Sequence, residues 1–200
     1  WIHYIMKTRC ERLTSFGSLY YFNKAHQPAG AAARCLDCSI EPKCPYSAKT
    51  IYLGRLAKGH TGWPVDVLTP NPTVESITQA LREGPYGRCV FDCDNDVVDH
   101  QVVNMEFAGG LTATFTMTGF NHGGGRKTHV FGTDGEIYGD GSKIEVFDFL
   151  TQKKTEIDTR STDASILGGH GGGDGGLIHG FINAVATGDR SHILSGPDET

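Results

Sequence analysis

Two hundred residues amount to about one ordinary domain, enough to bury roughly 70% of the unfolded chain's surface. The 18 Lys and Arg against 23 Asp and Glu leave a formal net charge of −5, so no basic excess exists to displace counterions from nucleic acid or an anionic membrane, and neither is expected as a partner. Hydrophobic residues make up 38% of the chain, too many for a disordered polymer, and no run of about 18 apolar residues suggests a transmembrane helix.

In chain order, Trp1-Ile2-His3-Tyr4-Ile5-Met6 reads as the last turns of a helix, with neither an initiator Met nor a signal pattern. Residues 11–21 read as a strand carrying Leu13, Phe16, Leu19 and Tyr21. A loop rich in Ala, Pro and Cys follows over 23–45, then a short helix over 46–56. A better-marked helix is capped by Asn71-Pro72-Thr73, shows Val74, Ile77, Ala80 and Leu81 at helical spacing, and ends at Gly84-Pro85.

From Arg88 the period changes to two. Residues 102–107 and 111–120 flank the turn Ala108-Gly109-Gly110, with Ala113, Phe115 and Met117 on one face and Thr112, Thr114, Thr116 and Thr118 on the other. Strands over 127–131, 136–138, 143–149 and 154–158 continue the meander. A final helix over about 174–187 shows Leu177, Ile178, Phe181, Ile182 and Val185 as one stripe. This order predicts an α+β fold: a large open, mainly antiparallel sheet with helices packed on one face, forming one domain over 1–200. The Thr face is either solvated or meets a second subunit or a ligand. Ser195-Gly196-Pro197-Asp198-Glu199-Thr200 reads as the opening of a further helix, so the chain is expected to be a piece of a longer protein.

Three clusters bear on chemistry. Cys35-Leu36-Asp37-Cys38 with Cys44 has the spacing that lets three thiolates meet one tetrahedral ion, which predicts a structural zinc. Its fourth ligand is His26, Cys89 or Cys93; unbonded buried thiols, or disulfides in an oxidising compartment, are the alternatives. With no general base nearby, three thiolates suit a stapled loop better than a catalytic ion. The glycine run 168–176 places His170 and Asp174 before the last helix. Gly171, Gly173 and Gly176 match G-x-G-x-x-G, but no buried strand precedes them and too little chain follows for a dinucleotide-binding half. What remains is an imidazole in a loop open to ligand approach and a carboxylate suited to a helix N-terminus. The acidic stretch 92–99 lacks the glycine and terminal Glu of a calcium loop. It leads into His100, which adjacency on a strand would point away from Asp99. His122 and His129 are weaker candidates.

Taken in order, several stretches resemble the C-terminal domain of the Gfo/Idh/MocA family, the glucose-fructose oxidoreductase and inositol dehydrogenase-like enzymes. They are Thr14-Ser15-Phe16-Gly17-Ser18-Leu19 with Phe22, Arg34-Cys35-Leu36-Asp37-Cys38 with Cys44-Pro45-Tyr46-Ser47-Ala48, and Arg88-Cys89-Val90. Cys93-Asp94-Asn95-Asp96-Val97-Val98-Asp99-His100-Gln101, Phe131-Gly132-Thr133-Asp134-Gly135-Glu136 and Gly169-His170-Gly171-Gly172-Gly173-Asp174 follow. The resemblance implies a dihydrodipicolinate reductase-like sheet without a Rossmann domain. It implies a carbohydrate-like substrate met by His170, Asp174, His100 and His122, and homodimer or homotetramer assembly through the sheet face. A cytoplasmic location is expected with it. The family's NAD or NADP grip and its Glu-Lys-Pro catalytic Lys have no counterpart here, so the chain is expected neither to bind the cofactor nor to transfer hydride by itself. Two other readings stand beside this one: a non-enzymatic, metal-stapled binding or assembly module, and a relative that cleaves glycosides by an NAD-dependent redox route.

Overall fold

The computed structural model describes residues 1–122, 125–160, 172–194 and 196. The chain is α+β, and it divides into two compact units. One comprises residues 12–105 and 112–120; the other comprises 1–11, 106–111 and 121–200. The strands form two antiparallel sheets: β1 (Cys10–Ser18), β2 (His100–Phe107) and β3 (Leu111–Thr118) in the order β1-β2-β3, and β4 (Thr128–Phe131), β5 (Gly135–Gly139), β6 (Lys143–Asp148) and β7 (Lys153–Asp158) in sequence order. The meander expected from residue 100 onward is therefore split between two sheets, and β1 pairs with β2 at the first sheet's other side.

In the first unit the core lies among helices and loop. Helix α1 (Ile2–Met6) belongs to the other unit; here a π-turn at Lys49–Leu53 runs into α2 (Gly54–Leu56), and α3 (Val74–Glu83) packs against it. Ile77 and Leu81 of α3, four residues apart and hence on one face, are fully buried with Val65, beside Cys35 and Ala48. The start of α3 is fixed by a reciprocal capping box. Thr73 Oγ1 accepts from the Ser76 N–H at 3.1 Å, and Ser76 Oγ accepts from the Thr73 N–H at 2.9 Å. Its end is held by Arg34, whose guanidinium donates to the carbonyls of Leu81 and Gly84 at 2.9 Å and Glu83 at 3.3 Å. These are last-turn acceptors that have no partner inside the helix, and a cation there also opposes the macrodipole.

In the other unit, β4 to β7 pair in unbroken register, from Phe131↔Glu136 through Gly135↔Asp148 to Asp148↔Lys153. The turns are set by carboxylates. Asp140 Oδ1 accepts from the N–H groups of Ser142 and Lys143 at 2.9 and 2.8 Å, and Asp148 Oδ1 from that of Thr151 at 2.7 Å. Gly135 in the Phe-Gly-Thr-Asp-Gly-Glu stretch is required by close approach, since a Cβ there would collide with the Phe147 carbonyl oxygen. Helix α4 (Gly173–Thr187) forms where expected, but its apolar stripe lies open. Leu177, Ile178, Phe181, Ile182 and Val185 are 46% to 76% exposed. No described helix is long and apolar enough to cross a membrane.

Gly87 follows α3 so closely that a Cβ would fall inside contact of the Leu81 backbone. Gly87→Ala is expected to cost about 1–3 kcal/mol of unfolding free energy. Gly62→Ala, where the added Cβ meets nothing within 4 Å, should stay within about 0.5 kcal/mol of wild type. Urea unfolding midpoints of the two variants check this.

Candidate functional site

The residues best placed to define a site lie in the first unit, where β1 ends and β2 begins. β1 stops at Ser18 because the next residues turn onto the side chain of Asp99. Asp99 Oδ1 accepts from the Tyr20 N–H at 3.1 Å, and Oδ2 from the N–H groups of Tyr21 at 2.6 Å and Phe22 at 3.1 Å. Asn23 satisfies the opposite polarity of the same turn, donating from Nδ2 to the carbonyls of Leu19 and Tyr20 at 3.0 and 2.9 Å. The backbone of Asp99 joins the strands as well, its N–H donating to the Ser18 carbonyl at 3.0 Å and its carbonyl accepting from Gly119 at 2.8 Å.

Asp99 is 6% exposed. Burial alone would push its carboxyl up, but the hydrogen bond with His100 and the three backbone N–H groups outweigh that and hold it well below the ordinary carboxylate range. His100 Nδ1 stands 2.9 Å from Asp99 Oδ1. The two side chains therefore meet directly, against the expectation from strand alternation. The reason is positional: β2 begins at His100, so Asp99 lies before the pleat and alternation does not govern it.

The turn carried by Asp99 presents Tyr21 and Phe22 to Tyr46, Phe91 and Phe120. Centroid separations run from 4.9 Å for Phe22–Tyr46 to 6.1 Å for Tyr21–Tyr46, with Phe22 and Phe120 stacked at 5.3 Å. Beside this cluster are two concavities. One, of about 180 Å³, is lined by Tyr21, Lys43, Tyr46 and Phe91. The other, of about 20 Å³, is lined by Cys35, Cys38, Cys44 and Cys89 with Tyr46 and Phe91. Burial pushes the Cys35 thiol up, the Ala48 backbone N–H opposes this, and the neighbouring Cys44, Cys89 and Cys38 add to the rise. No disulfide joins the cysteines among the described residues. Nor do three His, Cys, Asp or Glu side chains stand there as a ready-formed ligand set.

The other candidates are dispersed. His170 lies outside the described residues. Asp174 occupies the first turn of α4, half-buried and engaged; it and the exposed His122 belong to the second unit, and His100 to the first. His129 is accounted for locally, its Nε2 standing 3.0 Å from Glu136 Oε2. Of the three fourth-ligand candidates, Cys89 lines the thiol cavity, whereas Cys93 Sγ donates to the Cys89 carbonyl at 3.1 Å and His26 Nδ1 pairs with Asn23 Oδ1 at 3.2 Å.

One buried network has no sequence signal. Glu41 accepts from Ser47 Oγ and pairs with Lys49 at 2.6 Å, which, with burial opposing, lowers its carboxyl pKa. Ser47 is fully buried and its hydroxyl is committed to Glu41, so the trio fixes the Cys44–Lys49 turn rather than offering a nucleophile to a substrate. No family model matches the chain, and no similar curated protein or solved structure is found.

A carboxyl with a depressed folded-state pKa contributes stability that is complete above its unfolded value, about 4, and is lost as the pH falls through the folded value. Asp99→Asn is therefore expected to lower the melting temperature by on the order of 5 °C at neutral pH. The gap from wild type should close as the pH is taken below about 4. Thermal melts across that range check it; a gap that stays constant would mean the carboxylate's charge plays no part.

Proposed function

We propose that this chain is the substrate-side and assembly domain of an NAD(P)-dependent oxidoreductase of the Gfo/Idh/MocA type, built on the dihydrodipicolinate reductase-like plan and acting on a secondary alcohol of a sugar or cyclitol. The observation that carries this reading is the order of the family-like stretches along the chain. In support, two of them, 14–22 and 93–101, are tied together by the hydrogen bonds of Asp99.

In this reading the nicotinamide cofactor supplies or accepts the hydride and is held by a separate Rossmann domain. The chain itself binds and orients the substrate. As the resemblance implies, His170, Asp174 and His122 serve as its polar contacts for hydroxyl groups. Imidazole suits that work because it both donates and accepts near neutral pH. Assembly as a homodimer or homotetramer would use a sheet face.

A second reading, a metal-stapled binding or assembly module without catalysis, is favoured by one observation: four of the cysteines line a single small cavity.

Calorimetric titration of this chain with NAD⁺ and NADP⁺ is expected to give no saturable heat, and micromolar binding would overturn the assignment of the cofactor to another domain. In an enzyme carrying both domains, His170→Ala should lower kcat/KM for the sugar or cyclitol at least about tenfold, the equivalent of ~1.4 kcal/mol. An enzyme without dehydrogenase activity on any polyol would favour the module.

A further inference from the structure

The thiol cavity carries an inference that does not depend on the oxidoreductase reading. Its four cysteines are delivered by distinct pieces of local structure. Cys35 and Cys38 bracket a tight turn closed by the Cys38 N–H on the Cys35 carbonyl at 3.4 Å. Cys44 follows a second such turn, closed by its N–H on the Glu41 carbonyl at 2.9 Å. Cys89 comes from beyond α3, about fifty residues on. It is brought alongside by the antiparallel bridge Arg34↔Arg88 and by its own N–H on the Ala33 carbonyl at 2.8 Å.

Two N–H donors already address the sulfurs: the backbone of Ala48 toward Cys35, and Gln27 Nε2 toward Cys89 Sγ at 3.7 Å. Such donors orient a ligating sulfur. Glu41 also lines the cavity, but Ser47 and Lys49 occupy its oxygens. The space among the cysteines, about 20 Å³, is room for one water-sized particle.

We propose that Cys35, Cys38, Cys44 and Cys89 bind one zinc ion, which fastens the loop around residues 33–48 to the segment that follows α3. On binding, each thiol gives up a proton to solvent and the ion gains four sulfur ligands, leaving a dianionic centre toward which Ala48 and Gln27 donate. Since three of the groups do not already stand at metal-holding spacing, the ion itself draws the thiols inward to Zn–S distances of about 2.3 Å. Metal affinity then appears as folding stability.

The test is elemental analysis of the chain purified under reducing conditions from zinc-supplemented cells, with melts before and after chelation. One zinc per chain, lost together with several degrees of melting temperature on chelation, is the expected result. Cys89→Ser should reduce the zinc to background, while Cys93→Ser should retain it. Should Cys89→Ser fail to fold, cobalt titration of the metal-free wild-type chain decides. Saturation at one equivalent, with the visible absorption of tetrahedral cobalt and a thiolate charge-transfer band, supports the site. A metal-free chain whose melting ignores both zinc and chelator overturns the proposal. So would a Cys93→Ser variant that loses zinc while Cys89→Ser keeps it, or an intramolecular disulfide among the four.

Discussion

The first unit depends on one carboxylate. Where β1 leaves its sheet, Tyr20, Tyr21 and Phe22 present three consecutive backbone N–H groups that pair with no strand, and Asp99 accepts from all three. Unpaired and buried, such groups would each cost on the order of 1–3 kcal/mol. Only an ionised carboxylate, with two oxygens and no donor of its own, can serve three N–H groups and an imidazole together. The position is also over-determined, because the same residue's backbone bridges Ser18 and Gly119. The side chain is thus aimed by the sheet it helps to terminate. The aromatic cluster follows, since Tyr21 and Phe22 reach Tyr46, Phe91 and Phe120 only with that turn held.

A second constraint acts at the far end of α3. Arg34 collects three helix-terminal carbonyls, and the bridge to Arg88 in the same short stretch sets the register of Ala33 against Cys89. The Arg34 side-chain contacts are charge-assisted and adjoin the buried Leu81, unlike the Lys143, Glu145, Lys154 and Glu156 pairs on β6 and β7. The latter are exposed on both sides, and pairs of that kind add at most a few tenths to about 1 kcal/mol.

What the sequence made legible, and what it did not, divides along the range of the interactions. Helix α3 was readable from Thr73, Ile77, Leu81 and Gly84, because caps and helical spacing act within a few residues. The hairpin at 108–110 was readable for the same reason. The pairing of β1 with β2 was not, and neither was the embrace of Asp99, whose partners lie 77 to 79 residues away. Asp99-His100 was visible as a dipeptide, but alternation was applied one residue before the strand begins. Apolar residues at helical spacing do show a face, as on α4, yet spacing says nothing about what covers it. Among the proposed substrate contacts, only local signals, a histidine in glycine and an acid at a helix start, pointed to His170 and Asp174. The thiol cluster was half legible: the first three cysteines declare themselves by spacing, and the fourth needs the Arg34–Arg88 bridge to be chosen over Cys93 and His26.

The makeup of the buried core gives that cluster its weight. Among the described residues of the first unit the buried apolar side chains are Val65, Ile77, Leu81, Phe91 and Ala48, joined by Cys35 and Cys89. A core this thin, at about 25 cal/mol per Å² of apolar surface removed from water, has little margin over the entropy of ordering long loops such as 23–45. Small cores recover the deficit through cross-links or metal ions, and the two cysteines stand where one would act: Cys35 in that loop, Cys89 beyond the helix the loop packs against. Sulfur is a modest hydrophobe, so packing alone gives weak reason to gather four thiols around one cavity. Coordination gives a strong one, because it would turn a loosely filled gap into the tightest junction of the unit.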